Sequence, residues 1–146
     1  MRRSLFLASA LGALAALAGC NVFGGTADPP TGFEGWYHLD RPGRATSLSF
    51  STYNLAEIRD LGCDHVLNGE TPWSSDGTTV SLPQWSTPAP GFTQSSTPDG
   101  GLLANPGMYG TAQEQWLPGA TCLICPQGDA GVAVACSQPV VLDGGT

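Results

Sequence analysis

The sequence predicts a mainly β fold, a small antiparallel barrel or sandwich with one short helix, stapled by disulfides. Three observations predict it. Twenty glycines and twelve prolines punctuate the 146 residues, and the apolar runs between them are short, as in β-rich domains. Large apolar residues (Trp36, Phe50, Trp73, Val80, Leu82, Trp116, Ile124 and Val134) recur in small clusters that need burial. Four cysteines, Cys63, Cys122, Cys125 and Cys136, lie in the body of the chain, an even number that suits two bridges.

The elements follow in order. "GWYHLD" (35–40) reads as a first strand, ended by "RPG". "TSLSFS" (46–51) alternates, with Leu48 and Phe50 on one face and Ser47, Ser49 and Ser51 on the other, the pattern of a half-buried strand. In "NLAEIRDLG" (54–62), Asn54 suits an N-cap, and Glu57 stands three residues on as in a capping box. Leu55, Ile58 and Leu61 recur at helical spacing and Gly62 suits the C′ position. This predicts a helix over 55–61, with a strand as the competing reading. Trp73 precedes "SSDG", and Val80 and Leu82 follow at period two, so Asp76-Gly77 is read as a hairpin turn. "STPAPGFTQSSTPDGG" (86–101) is rich in Pro, Ser and Thr and is read as an exposed loop. "GLLA", "AQEQWL", "TCLICP" and "GVAVACS" read as further strands, with an edge strand in "PVVLDGGT". The total is roughly six to eight strands.

The other end of the chain sets the compartment. "MRRSLFLASALGALAALAGC" opens with Arg2 and Arg3, followed by an uncharged apolar stretch from Ser4 to Leu17. That stretch is shorter than the ~20 residues of a membrane span and has the flanks of a secretory signal. Leu17-Ala18-Gly19-Cys20 resembles the lipobox of bacterial lipoproteins. The resemblance covers about the first twenty residues and implies a processing class. It implies that the Cys20 thiol receives a diacylglyceryl group and that cleavage leaves Cys20 as an acylated N-terminus. It further implies a lipid-anchored envelope location, with Asn21 favouring the outer membrane where there is one. The expected organisation is a signal peptide at 1–19, a flexible tether at 20–32, a single β-rich domain at 33–142 and a frayed end at 143–146. The tether reading rests on the small, Gly- and Pro-rich residues of "NVFGGTADPPTG".

Charge excludes some partners. Without residues 1–19 the chain keeps Arg41, Arg44 and Arg59, no lysine, and all twelve acidic residues. Phosphate backbones are bound through Lys and Arg, so nucleic acid is not an expected partner. Anionic headgroups gain nothing from this surface either, so membrane association should come from the lipid.

In an exported chain the four cysteines favour disulfides. With "QGDAG" (127–131) as a turn, Pro126 faces Val132, Ile124 faces Val134 and Cys122 faces Cys136, and facing Cβ atoms come as close as ~4.5 Å. Cys125 then points to the opposite face, leaving Cys63 as its partner. The expected bridges are Cys122–Cys136 and Cys63–Cys125. A redox dithiol at Cys122-x-x-Cys125 would want a helix N-terminus or a nearby cation, and neither stands near in sequence. Cys63, His65, Cys122 and Cys125 have the ligand types of a zinc site, but the oxidising compartment disfavours it. No metal or other cofactor is expected.

Catalytic signals are weak. His38 and His65 are the histidines, and serines are too many for a triad to be read. There is no G-x-S-x-G elbow, and paired carboxylates for glycoside hydrolysis are unconstrained. The Asp-Gly pairs at 76, 99 and 143 lack the oxygen spacing of an EF-hand and read as turns. Trp36, Trp73 and Trp116 are expected in the core. Trp85, in "LPQWSTPAP", is expected to be the exposed one and is the candidate ligand-binding residue. The expected function is a non-enzymatic binding or structural module in the envelope, with a protein, a glycan or a small apolar ligand as partner. The alternative is an exported hydrolase whose site forms only in the fold.

Overall fold

The computed structural model describes residues 28–110, 112–126 and 130–144. The expected signal peptide, Cys20 and the tether up to residue 27 lie outside these. The described chain forms twelve strands: β1 Trp36–Arg41, β2 Arg44–Phe50, β3 Leu55–Leu61, β4 Val66–Pro72, β5 Ser74–Ser75, β6 Val80–Ser81, β7 Gly91–Gln94, β8 Leu102–Ala104, β9 Glu114–Pro118, β10 Ala120–Cys125, β11 Val132–Cys136 and β12 Val141–Asp143. Nine form one antiparallel sheet in the order β4-β3-β2-β1-β9-β8-β7-β6-β5. β4 and β5 flank Trp73 as two arms of one bent strand, the first pairing with β3 and the second with β6. Counted so, the sheet is a nearly closed ring of eight staves, each beside its neighbour in sequence. β9 returns to pair with β1 at Tyr37↔Pro118 and His38↔Leu117. The remaining three strands form a second sheet, β11-β10-β12.

An eight-strand barrel has an interior just wide enough for side chains to fill, and aromatic rings fill this one. Phe50 makes edge-on contacts with Phe33, Trp73 and Phe92, and Phe92 makes another with Trp116. Each such pair adds about 0.5–1.5 kcal/mol beyond simple burial. Leu48, Ile58, Val80, Leu82 and Leu102 complete the core, all fully buried. Trp73 and Trp116 lie in it as expected. The turns follow local chemistry. Pro42-Gly43 joins β1 to β2, with Gly43 at φ +68°. In the β5–β6 turn Asp76 Oδ1 accepts the N–H groups of Thr78 and Thr79 at 3.0 and 2.8 Å, which holds its carboxyl below the usual carboxylate range. Gly101 is fixed by crowding as well as by its φ of +88°, because a Cβ there would lie 2.1 Å from the Trp116 carbonyl oxygen.

Segment 55–61 is a strand, not the helix its spacing suggests. Asn54 takes φ +57° as a turn residue, and its carbonyl accepts the Trp73 N–H at 2.9 Å. Ala56, Ile58 and Asp60 then point inward at period two. A seven-residue run can satisfy both periods. β3 gains backbone bonds from β2 on one side and β4 on the other, whereas an isolated helix of two turns is marginal. Segment 86–101 likewise holds β7 in place of a continuous loop, with Phe92 fully buried.

The second sheet packs on the outside of the barrel. After Gly119, β10 crosses the outer face of β1 and β2, and Leu123 joins Ala45 and Leu61 in a second small core. Ser47, outward on β2, is therefore buried too; its Oγ accepts the Thr121 N–H at 3.1 Å. Cys63 is bonded to Cys125 and Cys122 to Cys136, with Cα separations of 5.6 and 5.7 Å. The hairpin register differs from the expected one by two residues. Cys122 faces Val134, Cys136 faces Ala120 and Ile124 faces Val132, so the bridge runs diagonally across the pair. The connection is longer than "QGDAG" by two residues, and Cys125 is bonded to Cys63 and aligned with Asp143 of β12.

Candidate functional site

The charged clusters at the β1–β2 end and around Trp36 both depend on which face each strand residue takes. At the β1–β2 end of the barrel, Arg41, Arg44, Thr46 and Asp60 all face inward. Asp60 Oδ2 accepts from Arg41 and Arg44 at 3.1 and 2.9 Å, and its Oδ1 accepts from the Thr46 hydroxyl at 2.9 Å. The Arg41 guanidinium also lies 4.0 Å over the Tyr109 ring. Arg44 donates to His65 Nε2 at 2.8 Å, so the ring proton sits on Nδ1 and is donated to Asp64 Oδ1 at 2.8 Å. That bond lowers the Asp64 carboxyl. His65 thus has its acceptor nitrogen committed to a cation, not to a nucleophile whose proton it could take. His38 donates from Nδ1 to the Gly119 carbonyl at 3.0 Å, and its Nε2 lies 3.8 Å from Asp40 Oδ1. The cluster is a closed ion-pair network, suited to holding three strand ends together.

Tyr109 carries a consequence of its burial. Its hydroxyl has no hydrogen-bond partner among the described residues. Desolvation and then the Asp60 carboxylate push its ionisation well above the usual value, the two arginines opposing only in part. Burial and Glu34 raise Tyr37 in the same direction. Both folded values exceed the unfolded value near 10, so this contribution to stability is intact below pH ~10 and is lost as pH rises past it. Thermal melts are expected to fall steeply above pH ~10, and Tyr109→Phe should flatten that fall.

Trp85 is not the exposed tryptophan. It is half-buried against the core, its indole N–H donates to the Met108 carbonyl at 2.9 Å and its ring meets Tyr109 edge-on. Trp36, expected inside, stands half-buried on the outer face of β1. Neighbours in a strand point oppositely, and Tyr37 takes the interior. The register aligns Trp36, Ser49, Glu57 and Glu70 in a row across β1, β2, β3 and β4. The link between β11 and β12 passes beside this row, so that Trp36, Ser49, Glu57, Arg59, Gln138 and Pro139 line a cleft of about 230 Å³. Glu57 and Arg59 pair within it, both Arg59 Nε and Nη2 reaching Glu57 Oε1. None of these residues is a site candidate from sequence, Trp36 being expected in the core, since their alignment depends on pairing register.

The four body cysteines are all in disulfides, which leaves no thiolate among them for a dithiol or zinc site. Among the described residues no group of three or more His, Cys, Asp or Glu side chains is placed to hold a metal. In comparisons with known proteins, no family model, curated protein or solved structure matches the chain. The class is therefore defined by its own architecture, a side-chain-filled meander barrel with a disulfide-tied outer sheet.

Proposed function

We propose that this chain is a lipid-anchored cell-envelope protein whose barrel acts as a non-enzymatic binding module, held at the outer membrane where the organism has one. The observation that carries the anchoring is Leu17-Ala18-Gly19-Cys20 behind a basic, then apolar, leader. Two disulfides in one small domain agree with export to an oxidising compartment. The barrel itself is built inside-out for a membrane. Its interior is aromatic and aliphatic, and its outer row presents Ser49, Glu57 and Glu70, where a membrane barrel shows an apolar band. Among the described residues no helix is long and apolar enough to cross a bilayer.

The filled interior favours a surface site over an internal ligand cavity. A histidine-based hydrolase would need an imidazole whose acceptor nitrogen meets a nucleophile. The His65 acceptor nitrogen meets the Arg44 guanidinium, which favours the binding reading instead. Replacing Cys20 by alanine tests the anchor, since several acyl chains hold a protein stably at a membrane. The variant is expected in the soluble fraction after cell lysis. Full retention with membranes after that change would contradict the reading.

A further inference from the structure

The Trp36 cleft gathers several uncommitted polar groups around one tryptophan. Trp73, Trp85 and Trp116 all spend their indole N–H on protein acceptors, the Ser51 carbonyl, the Met108 carbonyl and Glu114 Oε2. Among the described residues the Trp36 indole N–H has no such acceptor, and neither the Ser49 hydroxyl nor the Gln138 side-chain amide is bonded. Because Arg59 sends two N–H groups to one Glu57 oxygen, Glu57 Oε2 and Arg59 Nη1 are left over. The cleft thus offers an indole, a hydroxyl, an amide, a carboxylate oxygen and a guanidinium N–H around one small space. Its two charges neutralise each other.

We propose that this cleft is a subsite for one ring of a neutral saccharide, a proposal that rests on the binding-module reading. A sugar hydroxyl both donates and accepts, and it is met best by planar groups that do one or the other, as carboxylate, amide and guanidinium do. The C–H face of the ring is met by the electron-rich face of an aromatic side chain. An apolar ligand would leave these polar groups buried and unpaired. An anionic one would meet Glu57 with Arg59 already engaged. At about 230 Å³ the cleft is below the roughly 300 Å³ of drug-sized pockets, which suits a single ring. The covalent frame supports preorganisation. Gln138 and Pro139 follow Cys136, which is tied to Cys122, and the Cys122 and Cys136 sulfurs lie 3.1 and 3.0 Å from the Gln138 carbonyl oxygen.

The test uses the full chain in a detergent without sugar headgroups, titrated with neutral tetrasaccharides of glucose, mannose, xylose and N-acetylglucosamine. The readout is the set of tryptophan indole N–H resonances, with Trp36 assigned by its loss in Trp36→Phe. At least one tetrasaccharide is expected to move the Trp36 resonance saturably, with a Kd on the order of millimolar. Trp36→Ala, read by backbone amides of β1 and β2, should weaken that binding about tenfold. Ser49→Ala and Gln138→Ala should weaken it while leaving the fold unchanged. No saturable shift with any of the four, an equal shift with glycerol, or binding indifferent to Trp36→Ala would overturn the proposal. None of these results depends on where the protein is anchored, so the lipid-anchor reading stands or falls separately on the Cys20→Ala fractionation.

Discussion

Replacing Cys63 and Cys125 together by alanine is expected to lower unfolding free energy by about 4 kcal/mol, against about 3 for the Cys122–Cys136 pair. The difference comes from loop length. The first bridge spans 62 residues and the second 14, and the chain entropy removed from the unfolded state grows with the logarithm of that span. The first bridge also ties the outer sheet to the end of β3, beside the small core of Ala45, Leu61 and Leu123. Its loss should therefore loosen the outer sheet while the barrel stays folded. Urea unfolding of the two double variants checks the order of the effects. Hydrogen exchange confined to β10, β11 and β12 checks the location. A larger loss from the short-loop pair would show that the second sheet depends mainly on its own hairpin bridge.

Asp60→Ala is expected to cost roughly 3 kcal/mol, the scale for breaking a buried pair by removing one partner. The Asp60 side chain is only 8% exposed and serves two arginines that are 28% and 27% exposed. Its removal leaves both guanidiniums, together with the Thr46 hydroxyl, facing a carboxylate-sized gap. Asp60→Asn keeps the shape and one acceptor oxygen, so about half the loss should return. If both substitutions cost under ~1 kcal/mol, the network is solvated and the barrel end is held by packing alone. The same network gathers two of the three arginines that follow residue 3 into one small volume on an otherwise acidic chain.

Local chemistry made part of this fold legible. The Asp76-Gly77 turn, the alternation of Leu48 and Phe50 and the cysteine parity each depend on a few adjacent residues, and each has its counterpart in the structure. What could not be read depends on partners distant in sequence. β3 satisfies helix and strand periods equally until β2 and β4 are placed beside it. Phe92 sits among prolines and serines, and only its pairing with Val80 and Ala104 makes it core. Trp36 and Tyr37 are adjacent aromatics, one of which must face outward, and sequence does not choose between them. The cleft suffers the same blindness. Ser49, Glu57 and Arg59 become neighbours of Trp36 only through register, and Gln138 only because the β11–β12 link crosses there. The "CLIC" stretch was readable in its parity, which sends Cys122 and Cys125 to different partners. Its register was not, since Cys125 pairs with Asp143 of β12 and with no residue of β11.

The proposed lipid anchor and the two disulfides are tested together most directly by non-reducing peptide mass mapping of the protein isolated from cell membranes. The account predicts an N-terminal peptide beginning at Cys20 and carrying diacylglyceryl and acyl mass, with Cys63 joined to Cys125, Cys122 joined to Cys136 and no free thiol. An unmodified Cys20 in a chain that still begins at Met1 would contradict it.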